Sequence, residues 1–138
     1  MLLDVDGTLI PSKGTILTSP VKEWVREAKD HFSLYLVSNN PSKNRIGNVS
    51  QQLGINFIHR ASKPRRNSIV KVINEYSYSA ENIAIIGDRL LTDVFVGNRL
   101  GLFTVLVRTI GQEGKEYEAN RLQRVEKRMA KIIGRFTS

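Results

Sequence analysis

The sequence contains no cysteine, so disulfides, thiolate nucleophiles and Cys-ligated zinc are excluded together. With only two histidines, any bound metal must rely chiefly on oxygen ligands. Aromatic residues make up 7% of the chain and do not interleave with the basic ones, so a base-stacking platform for single-stranded nucleic acid is disfavoured. No apolar run approaches the roughly 18 residues needed to cross a bilayer. The first residues, Met-Leu-Leu-Asp-Val-Asp, place acid where a signal peptide would carry basic and then apolar residues. The expectation is therefore a soluble, cytoplasmic protein. Internal repeats and low-complexity segments are absent as well. Acidic charge is scarce, with 13 Asp and Glu against 21 Lys and Arg, which leaves +8 and favours anionic partners without naming one.

What remains suits one globular domain: 138 residues, 41% of them hydrophobic and 25% charged. Short β-rich apolar runs at Leu2 to Val5, Leu34 to Val37, Ile55 to Ile58, Ile83 to Ile86 and Phe103 to Val107 predict about five strands buried on both faces. Helical periodicity lies between them. Ser19 and Pro20 read as N-cap and first-turn proline of a helix with Val21, Trp24, Val25 and Ala28 on one face. A second helix carries Ile46, Val49 and Leu53 and stops at Gly54. A third is marked by Ile69, Val70, Ile73 and Tyr76, and a fourth runs from Thr92 to Leu100. Trp24 and Phe95 read as core, His31 as a cation at a helix end, and His59 as structural. The alternation predicts an α/β, Rossmann-like three-layer sandwich with a central parallel sheet, whose site lies beyond the C-terminal strand ends. After a linker at Gly111 to Gly114, residues 117 to 136 read as an amphipathic helix. Leu122, Val125, Met129, Ile132, Ile133 and Phe136 line one side, with Arg121, Arg124, Arg128, Lys131 and Arg135 beside them. The domain division is thus a core over 1–110 and a linker with a basic helix over 111–138, packed on or beside the core. Contact with an anionic bilayer is the alternative for this helix.

Only five aspartates occur, at 4, 6, 30, 88 and 93, and four of them fall at two strand ends. Asp4-Val5-Asp6-Gly7-Thr8 follows the first apolar run. In extended backbone residues i and i+2 face the same way, so Asp4 and Asp6 would project together and resist double ionisation. A divalent cation or a shared proton would relieve them. Gly87-Asp88 ends another apolar run and Asp93 follows five residues later, either as a helix-start residue or as part of an oxygen-ligand set for Mg²⁺ with Asp4 and Asp88. Ser38-Asn39-Asn40 supplies a hydroxyl and successive N–H groups before a helix, a cradle for an anion. Lys63 precedes Pro64, where an ammonium could stabilise a phosphoryl group. Arg60, Lys63, Arg65 and Arg66 form a basic cluster that charge-driven nucleic-acid binding could use, and Arg65 and Arg66 read otherwise as an exposed helix start or as contacts to a substrate headgroup.

Taken in order, Asp4-x-Asp6-Gly7-Thr8, Ser38, Lys63 and Gly87-Asp88 with Asp93 resemble the four motifs of the haloacid dehalogenase-like phosphatases, over about residues 2 to 108. The resemblance implies Asp4 as the nucleophile that forms an aspartyl-phosphate. It implies Asp6 as the acid and then the base, with its main-chain carbonyl on Mg²⁺. Ser38 and the N–H of Asn39 would hold phosphate oxygens, Lys63 would neutralise the transferring group, and Asp88 would ligate Mg²⁺ with Asp93 in support. The interval from Asp6 to Ser38 is 32 residues and that from Ser38 to Lys63 is 25, each filled by a helix and a strand, so no cap domain fits. An open site suits a bulky phosphorylated substrate. Ser38-Asn39-Asn40, Ser62-Lys63-Pro64 and the run from Gly87 to Asp93 are similar to the capless subclass III A, the YqeG-type branch related to phosphatidylglycerophosphate phosphatases. Gly7 stands where that branch more often has Asn. The resemblance implies a Mg²⁺-dependent phosphomonoester hydrolase whose substrate is phosphatidylglycerophosphate, with peripheral contact to an anionic membrane. A soluble phosphatase for a small phosphoester or nucleotide is the alternative, and a nucleic-acid-binding module with a vestigial site is less favoured. Setting the four clustered aspartates aside, nine acidic residues face 21 basic ones, so an acidic site would sit in a basic body.

Overall fold

The computed structural model describes residues 1–111; the segment expected to form the basic helix at 117 to 136 lies outside the described residues. Five parallel strands, β1 (Leu2–Leu3), β2 (Tyr35–Val37), β3 (Asn56–Ile58), β4 (Ala84–Gly87) and β5 (Phe103–Leu106), form one sheet in the order β3-β2-β1-β4-β5. Helices α1 (Ser19–His31) and α2 (Lys43–Leu53) supply the first two crossovers, and α3 (Asn67–Tyr76) and α4 (Phe95–Leu100) the next two. Four of the expected apolar runs contain a strand shortened at one end, and the run Ile83 to Ile86 is shifted by one residue, since β4 pairs from Ala84 through Gly87.

Two apolar layers flank the sheet, as the pleat requires. Leu3 and Leu36 pack with Val25 and Ala28 of α1 and Ile46, Val49 and Leu53 of α2. Leu2, Val37 and Ile85 pack on the other face with Ile69 and Val72 of α3 and Val96 of α4. Each such fully buried aliphatic side chain contributes about 1.5–3 kcal/mol against exposure. The crossovers therefore form a three-layer α/β sandwich, and the intervals before Ser38 and Lys63 hold only one helix and one strand each.

Several local expectations need correction. Thr18, extended at ψ 155°, is the N-cap of α1, so Ser19 and Pro20 are already helical; the first turn leaves N–H groups unbonded in any case and tolerates proline there. Trp24 and Phe95 are 43% and 49% exposed, on outer faces of α1 and α4 rather than in the core. Phe95 instead lies under the Arg99 guanidinium, 5.8 Å from ring centroid to Cζ, a cation–π contact one helical turn apart. In α3 the buried pair is Ile69 and Val72, with Val70 38% exposed. The fourth helix is preceded by a π-helical turn at Leu90–Val94, a one-residue widening that periodicity does not reveal.

Going outward from β1, the chain crosses to β2 on one side and β4 lies on the other, so the loops after β1 and β4 diverge and leave a crevice at their C-terminal ends. At the opposite ends of the strands a cavity of about 520 Å³ is lined mainly by apolar side chains, including Met1, Phe32, Tyr35, Ile73, Tyr76 and Phe103. Among the described residues, the clustered buried carboxylates lie at the first of these two ends.

Candidate active site

Asp4 follows β1 and Asp88 follows β4, the two strands that border the crevice. Both are buried, at 7% and 8% exposure. Asp4 donates its backbone N–H to Ile86 O at 2.9 Å, which prolongs the ladder by one residue and fixes the carboxylate beside β4. The chain then turns at Gly7, whose φ of 81° lies in the left-handed region and whose missing Cβ leaves room for the Asp88 carboxylate. Gly87 serves a similar purpose, since a Cβ there would strike the Asp93 carboxylate. These glycines let carboxylates from separate loops approach one another. Carboxylate oxygens of Asp4, Asp88 and Asp93 lie within 4.8 Å of each other.

Lys63 enters this cluster from the loop after β3. Its ammonium donates to Asp4 Oδ1 at 2.9 Å, Asp93 Oδ1 at 2.6 Å and the Val37 carbonyl at 2.7 Å. The side chain is almost wholly buried, and two non-glycine residues just before it, Arg60 (φ 50°) and Ser62 (φ 59°), adopt left-handed backbone. Strain of this kind is worth about 1–3 kcal/mol per residue and here accompanies the inward turn of a charged side chain. Asn39 locks the same loop reciprocally: its Nδ2 donates to Lys63 O at 2.8 Å and its Oδ1 accepts from Lys63 N–H at 2.7 Å. This side-chain task adds to the backbone role expected for Asn39.

One ammonium among three carboxylates leaves an excess of buried negative charge. Burial is the largest influence raising the pKa of Asp88, followed by the charge of Asp4, and together they push it up to about 6 despite the hydrogen bond from Thr109. Asp93 is also pushed up to about 6, again first by burial, with Asp4 adding to the rise and Lys63 opposing it. Burial alone would lower the Lys63 pKa, but Asp4 and Asp93 more than offset it and the ammonium is held charged. The coupled acids can be relieved by protons or by a divalent cation. The donor set fits Mg²⁺: hard oxygens, clustered, buried and short of positive charge.

Asp6, expected beside Asp4, has partners outside the Asp4–Asp88–Asp93 cluster. Past Asp6 the chain turns, with Thr8 and Leu9 N–H groups both donating back to Val5 O, and the Asp6 carboxylate has partners of its own. Asp6 Oδ1 accepts from Arg45 Nε at 2.9 Å and Nη2 at 2.7 Å, and Oδ2 accepts from Asn40 Nδ2 at 2.7 Å. The acids that couple to Asp4 are Asp88 and Asp93, and Asp6 is neutralised by Arg45 at the rim.

Ser38 is 1% exposed at the end of β2, and its Oγ accepts from Asn40 N–H at 3.1 Å, leaving the hydroxyl hydrogen able to donate. Thr8, which could have been merely a cap, donates to Asp4 Oδ2 at 3.1 Å and to Asp88 Oδ1 at 3.4 Å. Asp93 sits within the π-helical turn and accepts from Arg89 N–H at 3.2 Å as well as from Lys63, so it faces the cluster. Two site residues carry no motif in the sequence. Arg45 is one; Thr109 is the other, donating to Asp88 Oδ2 at 2.9 Å from the segment that crosses back after β5. Arg65 and Arg66 are exposed.

A parallel α/β sandwich with carboxylates from the first and fourth strands facing a buried lysine defines a class of hydrolase-type sites at a topological switch point. The chain belongs to the HAD-hydrolase-like family, whose model matches residues 60–133. Among curated proteins it is similar to the probable phosphatase YqeG of Bacillus subtilis (strain 168), 37% identical over 108 residues, which are 78% of this chain and 62% of that protein. It is also similar to the mitochondrial phosphatidylglycerophosphatase GEP4 of Saccharomyces cerevisiae, 27% identical across 97% of this chain and 77% of the yeast protein. The chain thus spans a little under two thirds of the Bacillus relative. Among solved structures, an uncharacterized protein from Listeria monocytogenes serotype 4b shares the fold, with a TM-score of 0.64, 16% identity and coverage of 96% of this chain and 97% of that one.

Proposed function

We propose that the protein is a Mg²⁺-dependent phosphomonoester hydrolase acting on phosphatidylglycerophosphate through an aspartyl-phosphate on Asp4. The observation that carries the reading is the buried Asp4–Lys63–Asp88–Asp93 cluster at the switch point, in a chain of the HAD-hydrolase-like family. Phosphoryl transfer asks for positioning and charge neutralisation more than for covalent chemistry by many groups, and these residue types supply both. When bound by Asp4, Asp88 and the Asp6 carbonyl, with Asp93 in support, Mg²⁺ supplies positive charge toward the phosphoryl oxygens.

The chain's own residues then divide the work. Thr8 and Lys63 each hold one Asp4 oxygen, which fixes the carboxylate for in-line attack on phosphorus. As the Asp4 O–P bond forms, the bond from phosphorus to the ester oxygen breaks, and Asp6, having first taken up a proton from solvent, donates it to that leaving oxygen. In the second half Asp6 takes a proton from water as the water oxygen attacks phosphorus, and the Asp4 O–P bond breaks to release inorganic phosphate. Ser38 Oγ and the Asn39 N–H donate to phosphoryl oxygens. Lys63 stabilises the charge on them, anchored by Asp93.

Support for the lipid comes from the yeast relative named above and from a plant relative named phosphatidylglycerophosphate phosphatase 1 in Arabidopsis thaliana, 22% identical over 91% of this chain. The net charge of +8 suits a substrate presented at an anionic membrane surface, approached peripherally. No described helix is long and apolar enough to cross a membrane. Phosphate release from phosphatidylglycerophosphate, sugar phosphates and nucleotides, with Mg²⁺ and with chelator, tests the reading. The expected result is Mg²⁺-dependent release that favours the lipid and is absent in Asp4→Asn. Equal rates in parent and Asp4→Asn would overturn the enzyme reading, and a preference for sugar phosphates would overturn the substrate.

A further inference from the structure

Arg45 lies in the first turn of α2, where its backbone N–H is capped by Ser42 Oγ at 3.2 Å. Nothing in the four motifs involves it, yet its guanidinium makes five hydrogen bonds. Nε and Nη2 both reach Asp6 Oδ1; Nη1 donates to the Gly14 carbonyl at 2.5 Å, and Nη2 also lies 3.1 Å from Pro11 O and 3.3 Å from Ser12 O. A planar fork engaged on one side by a carboxylate and on the other by three carbonyls of a single turn has little freedom left. The remaining Asp6 oxygen is held by Asn40, itself anchored by Ser42 N–H on its Oδ1 at 2.8 Å. The turn at 11–14 continues directly from the Asp6 loop, which closes on itself through Gly7 N–H to Ile10 O at 2.7 Å. One side chain therefore registers three things: the start of α2, the Asp6 carboxylate, and the turn at the mouth of the open site.

We propose that Arg45 is a positioning residue that holds Asp6 and the Pro11–Gly14 turn as one unit, so that the carboxylate meets the leaving-group oxygen of the substrate in a fixed place. The inference rests on the phosphatase reading above and on Asp6 as the proton carrier. A salt bridge serving the fold alone would affect every substrate alike. A positioning role discriminates among substrates by how much the departing oxygen needs a proton: an alkoxide needs one, an aryl oxide scarcely does.

The test is kcat/KM on an alkyl and an aryl phosphomonoester for the parent, Arg45→Lys, Arg45→Met and Asp6→Asn. Misplacement of a reacting group by about 1 Å costs on the order of 100-fold. Arg45→Met is expected to lose about 100-fold on the alkyl ester and about tenfold or less on the aryl ester, while Arg45→Lys, which keeps a cation near Asp6, recovers part of the alkyl loss. In an Asp6→Asn background Arg45→Met should leave the alkyl-to-aryl ratio unchanged. Equal losses on the two esters, no loss on either, or a further change of ratio in the Asp6→Asn background would overturn the inference. If Arg45→Met fails to fold, Arg45→Lys carries the same comparison. A parent that releases no phosphate, or releases it as fast with Asp4→Asn, would instead overturn the phosphatase reading on which this one stands.

Discussion

Asp4 and Asp6 flank the same valine, yet they occupy opposite kinds of surroundings. Asp4 lies within a crowd of carboxylates with Lys63 as the partner cation, buried where two strands end. Asp6 stands at the rim with its side chain 22% exposed, matched by Arg45 and Asn40 and facing a turn made of backbone carbonyls. The difference between a Lys and an Arg partner is physical. Lysine offers a compact charge that can sit in a dry cluster and face several oxygens. Arginine offers a rigid fork that fixes orientation. A poised nucleophile gains from the first; the second fixes where Asp6 stands while favouring its ionised form, so the proton it delivers must be taken up before the leaving group departs. The single valine between them, followed by the left-handed Gly7, is enough to separate the two environments.

The largest effect expected from breaking this comparison is on the Asp4 side. Asp4→Asn should lower kcat on the order of 10⁴-fold or more with alkyl and aryl esters alike, while circular dichroism shows the fold retained. On the Asp6 side, Asp6→Asn should cost about 10²–10⁴-fold in kcat/KM on an alkyl ester and clearly less on an aryl ester, since kcat/KM reports the phosphorylation half alone. Lys63→Met comes next, at about 10²–10³-fold in kcat on both esters. Because its ammonium is buried between two carboxylates, the same change should destabilise the apo protein by about 3–5 kcal/mol in urea titrations.

The smallest effect is on stability against pH. Asp88 and Asp93 have native pKa values raised to about 6 from 3.8, so between those limits the folded protein binds more protons than the unfolded chain. Stability is therefore greatest below pH 4 as far as these two groups decide it, and it falls as pH rises through about 6. Thermal melts in chelator should show Tm declining across that window. Millimolar Mg²⁺ should restore much of the loss above pH 6 by binding the ionised cluster, in proportion to the logarithm of its excess over Kd. A flat profile in both media would mean that the acids are not coupled as described.

Much of the Asp4 side is legible in the sequence, because strand ends are marked by apolar runs that stop at Asp4, Ser38 and Asp88, and a parallel sheet brings such ends together whatever lies between. Lys63 is legible only through its company, since a lysine before proline has no intrinsic reason to be buried. The Asp6 side is much less so. Arg45 falls among polar residues at the start of α2, where a solvated arginine would look the same, and its partners at 6 and 11–14 are 31 to 39 residues away. Thr109 lies past the last strand, where no periodicity remains to place it. The i, i+2 reading of Asp4 and Asp6 carried no sign of the separate partners, Lys63 and Arg45, that the two carboxylates find. Trp24 and Phe95 mislead for another reason: apolar character says what a side chain tolerates, and outer helix faces tolerate aromatics, Phe95 by lying against Arg99.

The division of labour between the two aspartates is tested most directly by trapping the covalent species. With a radiolabelled aryl phosphomonoester and Mg²⁺, Asp6→Asn can still be phosphorylated, because an aryl oxide departs without a proton, but it lacks the base that activates water. Acid quench followed by peptide mapping should then find label accumulated on Asp4, approaching one equivalent and released by hydroxylamine. Label on another residue, or none in a variant whose parent turns over the same ester, would contradict the assignment of nucleophile and base.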